Sequence, residues 1–122
     1  MSTDKKFDQL ILLLTRKTVE KKLNWVSAEI PLSLRSGTDD YYPIFLKANY
    51  KDKVLGIFQR KFKYFYDEHE FYWSDEVVLC VIDGKGGVVW EYSEKSIALN
   101  NLFDLAREKA SGIDEILDDL LS

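Results

Sequence analysis

Two runs of aromatic residues in this chain are separated by a short acidic segment, and this pattern strongly limits the possible folds. Seven of the seventeen aromatic residues lie within residues 62–73. They flank the segment Asp67-Glu68-His69-Glu70, which contains the only histidine of the chain. Because aromatic residues favour strands and polar residues favour the turn between strands, the pattern predicts a long antiparallel hairpin with one heavily aromatic face.

Hydrophobic spacing predicts the elements on either side of this hairpin. Apolar residues recur at helical spacing in residues 7–14, 99–106 and 113–120, and Gly112 suits a left-handed helix end. Residues 44–50, 54–66, 71–83 and 88–92 are predicted strands joined by turns, among them Gly84-Lys85-Gly86-Gly87. Residues 23–30 suit a strand or a helical continuation, of which we favour the strand, and the connector from Pro31 to Pro43 is predicted to be irregular.

This order of elements predicts one α+β domain spanning residues 1–122. Its N-terminal helix precedes a four- to five-stranded antiparallel meander, and one or two C-terminal helices pack on the sheet. The apolar run 77–82 is predicted to be a central strand covered on both faces.

The length of the hairpin turn determines which side chains share a face of the sheet. A turn of two or four residues at the acidic segment places Tyr64 opposite Trp73 and Tyr66 opposite Phe71. The turn at residues 84–87 extends this face to Trp90 and Tyr92, which lie opposite Val81 and Leu79. We therefore expect the aromatic face to be mainly domain core, with Lys61 and Glu76 forming an ion pair on the opposite face.

Two charged residues interrupt the aromatic face under this register. Arg60 and Asp75 become diagonal neighbours beside Tyr64 and Trp73. Because buried charges are almost always paired, the first interpretation is a structural ion pair. The alternative is a small-molecule site formed by Arg60, Asp75, Tyr64 and Trp73, in which the guanidinium binds an anion and the rings form the walls.

The charge of the chain is divided unevenly along its length. Residues 1–66 contain thirteen Lys or Arg against seven Asp or Glu, whereas residues 67–122 contain four against fourteen. The halves can attract each other within the fold, or the acidic half can bind a basic partner. The hairpin tip offers a second interaction surface, because Tyr66, His69 and Phe71 are expected to be exposed if it extends beyond the helices.

The chain offers few groups for catalysis or metal binding. Cys80 lies in an apolar run that predicts packing, and His69 is predicted to be a solvated turn residue. One histidine and one cysteine argue against a zinc site, and the acidic residues 114–119 are interpreted as a solvated helix face. The glycines at 84–87 separate two strands and so do not form a phosphate-binding loop. We expect no enzyme activity, no metal and no cofactor.

Composition also bears on location and on nucleic acid. The longest aliphatic run, residues 10–14, is too short to span a membrane, and a single cysteine suits a reducing compartment, so we expect a cytoplasmic protein. Basic and aromatic residues alternate in residues 58–65, a pattern suited to single-stranded nucleic acid. The facing strand is acidic and the pI is about 5.0, which opposes phosphate binding.

Several segments resemble a small family of bacterial proteins without an assigned function. The matching segments are the helix Phe7–Thr15, Lys22-Leu23-Asn24-Trp25, the strand–turn–strand Val77–Trp90 with Asp83-Gly84, Leu102–Ala106, and Ser111–Leu117. The resemblance implies a bacterial or phage source and a single α+β domain, and it implies no catalytic motif.

Three functions are compatible with these features. The first is a non-catalytic cytosolic protein-interaction module, of the kind of small acidic inhibitors and immunity proteins, which binds a basic protein partner or a second copy of itself. The alternative is a small-molecule-binding domain that uses the Arg60 and Asp75 pair. Single-stranded nucleic-acid binding ranks third because of the acidic charge.

Overall fold

The α+β prediction is confirmed by the computed structural model, which describes residues 3–35 and 37–122. The elements in chain order are α1 (Thr3–Val19), β1 (Val26–Ser27), α2 (Leu32–Arg35), β2 (Tyr41–Tyr50), β3 (Lys53–Phe65), β4 (Phe71–Ile82), β5 (Val88–Tyr92), α3 (Ile97–Ser111) and α4 (Ile113–Leu121). The five strands form one antiparallel sheet in the order β1-β2-β3-β4-β5, which is a simple meander.

The segment before β2 differs from its prediction in several places. Of residues 23–30, only β1 is a strand, paired with Leu46 and Lys47 of β2. The connector predicted to be irregular contains the short helix α2, and Ser36 within it lies outside the described residues. Strand β2 begins at Tyr41, earlier than predicted, and its pairing with β3 is irregular between Tyr41 and Ile44. That irregularity accommodates Pro43, which cannot donate a ladder hydrogen bond.

The main core lies between the helices and one face of the sheet. The alternating residues of β2, β3 and β4 supply Leu46, Ile57 and Leu79 to it, and the helices supply the apolar stripes expected from their spacing. Its buried members are Ile11, Leu14, Leu23, Trp25, Leu46, Ala48, Leu55, Ile57, Leu79, Tyr92, Leu99, Leu102, Phe103 and Ala106. Within it, Trp25 Nε1 donates to Thr18 Oγ1 at 3.0 Å, so this buried hydroxyl is satisfied.

A second, smaller core covers the other face of the sheet. It consists of Phe45, Phe58, Val78, Cys80 and Ile82, with side chains from the connector packed against them. Residues 77–82 of β4 therefore contact apolar side chains on both faces, as predicted for a central strand.

The register predicted for the long hairpin is wrong by one residue. Tyr64 lies opposite Tyr72, not opposite Trp73, and Phe65 lies opposite Phe71. The Tyr66 N–H donates to the Glu70 carbonyl at 3.3 Å, which leaves a three-residue loop between them. Two-residue hairpin turns need backbone conformations that favour Asn and Gly, and the acidic segment has neither. The next hairpin follows its prediction, with Val81 opposite Trp90 and Leu79 opposite Tyr92.

The junction between the two C-terminal helices lies where the sequence predicts. The Ser96 hydroxyl accepts a hydrogen bond from the Leu99 N–H at 3.2 Å and caps α3. Gly112 ends α3 in the left-handed conformation, with φ of 66°, and α4 starts at the next residue.

Candidate functional site

The distal half of the β3–β4 hairpin extends beyond its neighbouring strands. Strand β2 pairs with β3 only as far as Lys61, and β5 pairs with β4 only as far as Leu79. Within the described residues, 62–73 therefore form a two-stranded ribbon closed by its turn. No further strand pairs with either side of this ribbon. We call residues 62–73 the aromatic arm.

The aromatic arm is exposed, so the prediction that the aromatic face is mainly domain core is wrong for this half of the hairpin, whereas the exposure expected for Tyr66 and Phe71 is confirmed. Six of its seven aromatic side chains are 40–61% exposed: Tyr64, Phe65, Tyr66, Phe71, Tyr72 and Trp73. Core packing does apply closer to the base of the hairpin, where Phe58 and Tyr92 are buried. The sequence pattern for a strand was correct, but the helices do not extend far enough to cover its end.

The two faces of the aromatic arm differ in chemistry. One face carries Phe65, Phe71 and Trp73, with ring centroids 5.4 Å apart for Phe65–Phe71 and 6.1 Å apart for Phe71–Trp73. The opposite face carries Tyr64, Tyr66 and Tyr72 beside the half-buried Phe62, with ring centroids 5.2 Å apart for Tyr64–Tyr72 and 6.0 Å apart for Tyr66–Tyr72. Such aromatic pairs stabilise a ribbon that would be marginal by itself. The arm thus presents an apolar face and a face with hydroxyl groups.

Lys63 holds the arm against the connector that precedes β2. Its Nζ lies 3.0 Å from Asp39 Oδ2 and 4.8 Å from the centre of the Phe71 ring. This hydrogen bond lowers the pKa of the Asp39 carboxyl below its ordinary value. The cation over Phe71 and Trp73 is therefore already paired with a carboxylate.

The three predicted interface residues lie at the end of the arm. Tyr66 and Phe71 are among its exposed aromatic residues, and His69 is exposed in the turn with Asp67, Glu68 and Glu70. The end of the arm therefore combines exposed rings with three carboxylates. Their role in an interface stays a prediction at this point.

Arg60 forms a charge cluster that differs from the predicted pair. Its Nε lies 3.1 Å from Glu76 Oε1, although without hydrogen-bond geometry, and its Nη2 lies 3.6 Å from Glu91 Oε2. Its guanidinium also lies 5.7 Å from the centre of the Phe58 ring. Glu76 thus takes the place predicted for Asp75 because of the one-residue shift in register. The predicted Lys61–Glu76 ion pair is wrong for the same reason, since Lys61 lies opposite Asp75.

The four residues predicted to bind a ligand do not share a surface. Arg60 and Tyr64 point to the face of the sheet away from the helices, whereas Trp73 and Asp75 point to the helix side. Asp75 lines an open groove of about 460 Å³ between β4 and the start of α3. The guanidinium of Arg60, flanked by two carboxylates, is poorly placed to bind an anion.

Cys80 is buried in the second core, in agreement with its predicted packing role. Its side chain is fully buried, and burial together with the charge of Glu91 raises the pKa of the Cys80 thiol to about 12. A thiol with so high a pKa remains protonated near neutral pH, so it is neither a nucleophile nor a metal ligand there.

This pKa predicts a specific loss of stability at alkaline pH. An unfolded cysteine ionises near pH 9, whereas the folded protein holds its proton until about pH 12, so stability is unaffected below pH 9 and falls as the pH rises above it. At pH 10.5 the thiol should account for a loss of about 2 kcal/mol. Urea unfolding at pH 8 and 10.5 measures this loss. The Cys80→Ala variant should lose about 2 kcal/mol less than the wild type between these pH values, and equal losses would contradict the assignment.

One further exposed surface was not predicted as a candidate. Helix α4 has the apolar spacing foreseen from the sequence, but none of its residues is buried. Helical spacing predicts the apolar stripe of this helix, but it does not show whether another element covers the stripe. Among the described residues, no group of three or more His, Cys, Asp or Glu side chains is placed to hold a metal ion, and this includes the carboxylates of α4.

Comparisons with known proteins provide no further identification. No helix within the described residues is long and apolar enough to cross a membrane. No protein-family model, no curated protein and no solved structure matches this chain. Its resemblance to a bacterial family therefore stays an expectation, and the site must be interpreted from its own residues.

Proposed function

We propose that this chain is a non-catalytic protein-interaction module of the cytosol whose aromatic arm inserts into a cleft on another protein. One observation carries the proposal: six aromatic side chains are exposed on a ribbon that extends beyond the rest of the sheet. Rings on both faces of a ribbon suit a cleft better than a flat surface, because a cleft contacts both faces at once.

The size of the exposed surface supports a specific interface. A fully buried aromatic side chain removes about 200 Å² from water, so six half-exposed rings offer on the order of 600 Å². Each face of the arm contributes about half of this area, which is within the range of about 300–600 Å² for the largest apolar patch of a typical monomer. Together the two faces approach the area of about 800 Å² that each partner contributes to a standard interface.

The charges of the arm indicate the chemistry of the partner. Asp67, Glu68 and Glu70 surround its end, while Lys63 is paired with Asp39. An apolar cleft rimmed by Lys or Arg complements this pattern and would bind faster at low salt. The excess of fourteen acidic over four basic residues in 67–122 adds to the same field. This chemistry corresponds to a small acidic inhibitor of a basic protein, and the same field disfavours nucleic acid.

Replacing Trp73 by serine should weaken partner binding about tenfold or more, because truncation of a central aromatic residue is among the most costly changes at an interface. Trp90→Ser provides a matched control, since Trp73 and Trp90 are 53% and 52% exposed and only Trp73 lies in the arm. Affinity capture from an extract of the cells that make the protein, with quantitative mass spectrometry, measures the effect. A basic protein should be retained by the wild type and by Trp90→Ser, be lost from Trp73→Ser, and be released by salt.

Equal recovery by both tryptophan variants would contradict the proposal. Sedimentation velocity of the purified chain tests whether the arm instead binds a second copy of the same chain. A wild-type dimer that Trp73→Ser converts to a monomer would assign the arm to self-association instead of to a cleft on another protein.

A further inference from the structure

Helix α4 presents an apolar face that the rest of the described chain covers only in part. Its apolar residues follow helical spacing at i, i+3, i+4, i+7 and i+8: Ile113, Ile116, Leu117, Leu120 and Leu121. Ile116 is 49% exposed and Leu120 is 73% exposed, and no residue of the helix is buried. Amphipathic helices normally bury such a stripe, because burial is the main source of their stability. The stripe is therefore available to a binding partner.

The polar face of α4 is entirely acidic apart from the C-terminal serine. Asp114, Glu115, Asp118 and Asp119 occupy its other positions, and the helix has no basic residue in its last turn. Asp114 and Glu115 are favourable at the positive N-terminal end, but Asp118 and Asp119 lie towards the negative C-terminal end, where the helix dipole opposes them. Helix stability thus does not account for Asp118 and Asp119. Carboxylates on both sides of an apolar stripe match a surface with basic residues.

We infer that α4 is a second docking element, which lays its apolar stripe into an apolar groove rimmed by Lys or Arg on another protein. This is the helix-in-groove mode of recognition, read out by anchors at i, i+3, i+4 and i+7. A symmetric contact between the α4 helices of two copies is unfavourable, because two acidic helices would face each other.

The inferred site is separate from the aromatic arm. The arm joins the sheet near Asp75, where the start of α3 lines a groove. Helix α4 follows the opposite end of α3. A helix of the length of α3 spans about 22 Å. Loss of one site should therefore leave the other intact, and the inference does not depend on the function proposed for the arm.

A designed peptide provides a direct test with the full chain. The probe is an amphipathic peptide of about 18 residues, long enough to form a helix, with leucines on one face flanked by lysines. NMR chemical shifts of the labelled protein should change in residues 113–121. Fluorescence anisotropy should show binding about tenfold weaker or more for Ile116→Gln/Leu120→Gln, and unchanged binding for Trp73→Ser.

Charge variants and control peptides separate the contribution of the acidic side chains to peptide binding from that of the apolar stripe. Asp118→Asn/Asp119→Asn should weaken binding and reduce its salt dependence. A peptide with serine in place of leucine but the same lysines should bind at least tenfold more weakly, as should one with glutamate in place of lysine. The circular dichroism and Tm of Ile116→Gln/Leu120→Gln should match those of the wild type, because neither side chain is buried.

Four outcomes would overturn the inference. Equal peptide binding by Ile116→Gln/Leu120→Gln would show that the stripe is not the contact, and equal binding of the leucine-free peptide would show non-specific charge attraction. A wild-type dimer that this double variant dissociates would assign the stripe to a second copy. Adsorption to phosphatidylcholine vesicles that the same variant abolishes would assign it to a lipid surface.

Discussion

Replacing Phe58 by alanine is expected to lower the free energy of unfolding by about 3–5 kcal/mol. Phe58 is fully buried in the core on the far side of the sheet, with its ring 5.6 Å from Phe45 and 5.8 Å from Tyr42. Its removal leaves a cavity under the Arg60 guanidinium, which lies 5.7 Å from the ring centre. Urea unfolding followed by circular dichroism measures the loss, since a domain of this size is expected to unfold in a single transition.

The matched control for this prediction is Phe65→Ala on the same strand. Phe65 is 58% exposed and contacts Phe71 across the arm. Its truncation should cost less than about 1 kcal/mol, because it removes one exposed aromatic pair and creates no cavity. Similar losses for the two variants would show that the arm is as well packed as the core, and would remove the main support for an exposed binding surface.

Gly56→Ala is expected to lower the free energy of unfolding by about 1–3 kcal/mol, because the added methyl group overpacks the same core. A Cβ atom at this position would lie 2.7 Å from Cys80 Sγ and 2.9 Å from Phe45 Cζ. Both neighbours are buried, so neither can move away freely. Because Gly56 has no side chain, β3, β4 and the Phe45 ring can approach one another closely at this position. Urea unfolding again provides the measurement.

Two companion variants test the steric explanation for Gly56. Gly84→Ala should change stability by no more than about 0.5 kcal/mol, because its Cβ would meet no atom within 4 Å. In a double-mutant cycle, Cys80→Ala removes the closest contact, so the Gly56→Ala/Cys80→Ala variant should lose less than the sum of the two single variants. Additive losses would contradict a steric clash between these positions.

These two variants concern the part of the sheet that supports the aromatic arm. Phe58 and Gly56 lie in the proximal half of β3, where β2 and β4 pair on both sides, and the arm begins four residues after Phe58. The proximal half is thus rigidly packed, whereas the distal half relies on ring pairs across one ladder. Because the arm is attached to a rigidly packed part of the sheet, it loses less conformational entropy when it binds a partner.

Local sequence features predicted most of the architecture. Helical spacing identified α1, α3 and α4, and Gly112 marked the junction between the last two helices, because only glycine readily takes the left-handed conformation found there. Alternation and turn residues identified β5 and its register with β4. Each of these features depends on interactions within a few residues, which a sequence displays directly.

The candidate sites depended on information that is not local. The odd number of residues in the turn moved Glu76 beside Arg60 and Asp75 to the other face, because side chains alternate along a strand and a shift of one residue exchanges the faces. A buried aromatic strand and an exposed one have the same sequence pattern, and the same is true of amphipathic helices. Local sequence patterns therefore predict the aromatic hairpin and helix α4. The exposure of both becomes evident only in the fold, because it depends on how far the neighbouring strands and helices extend.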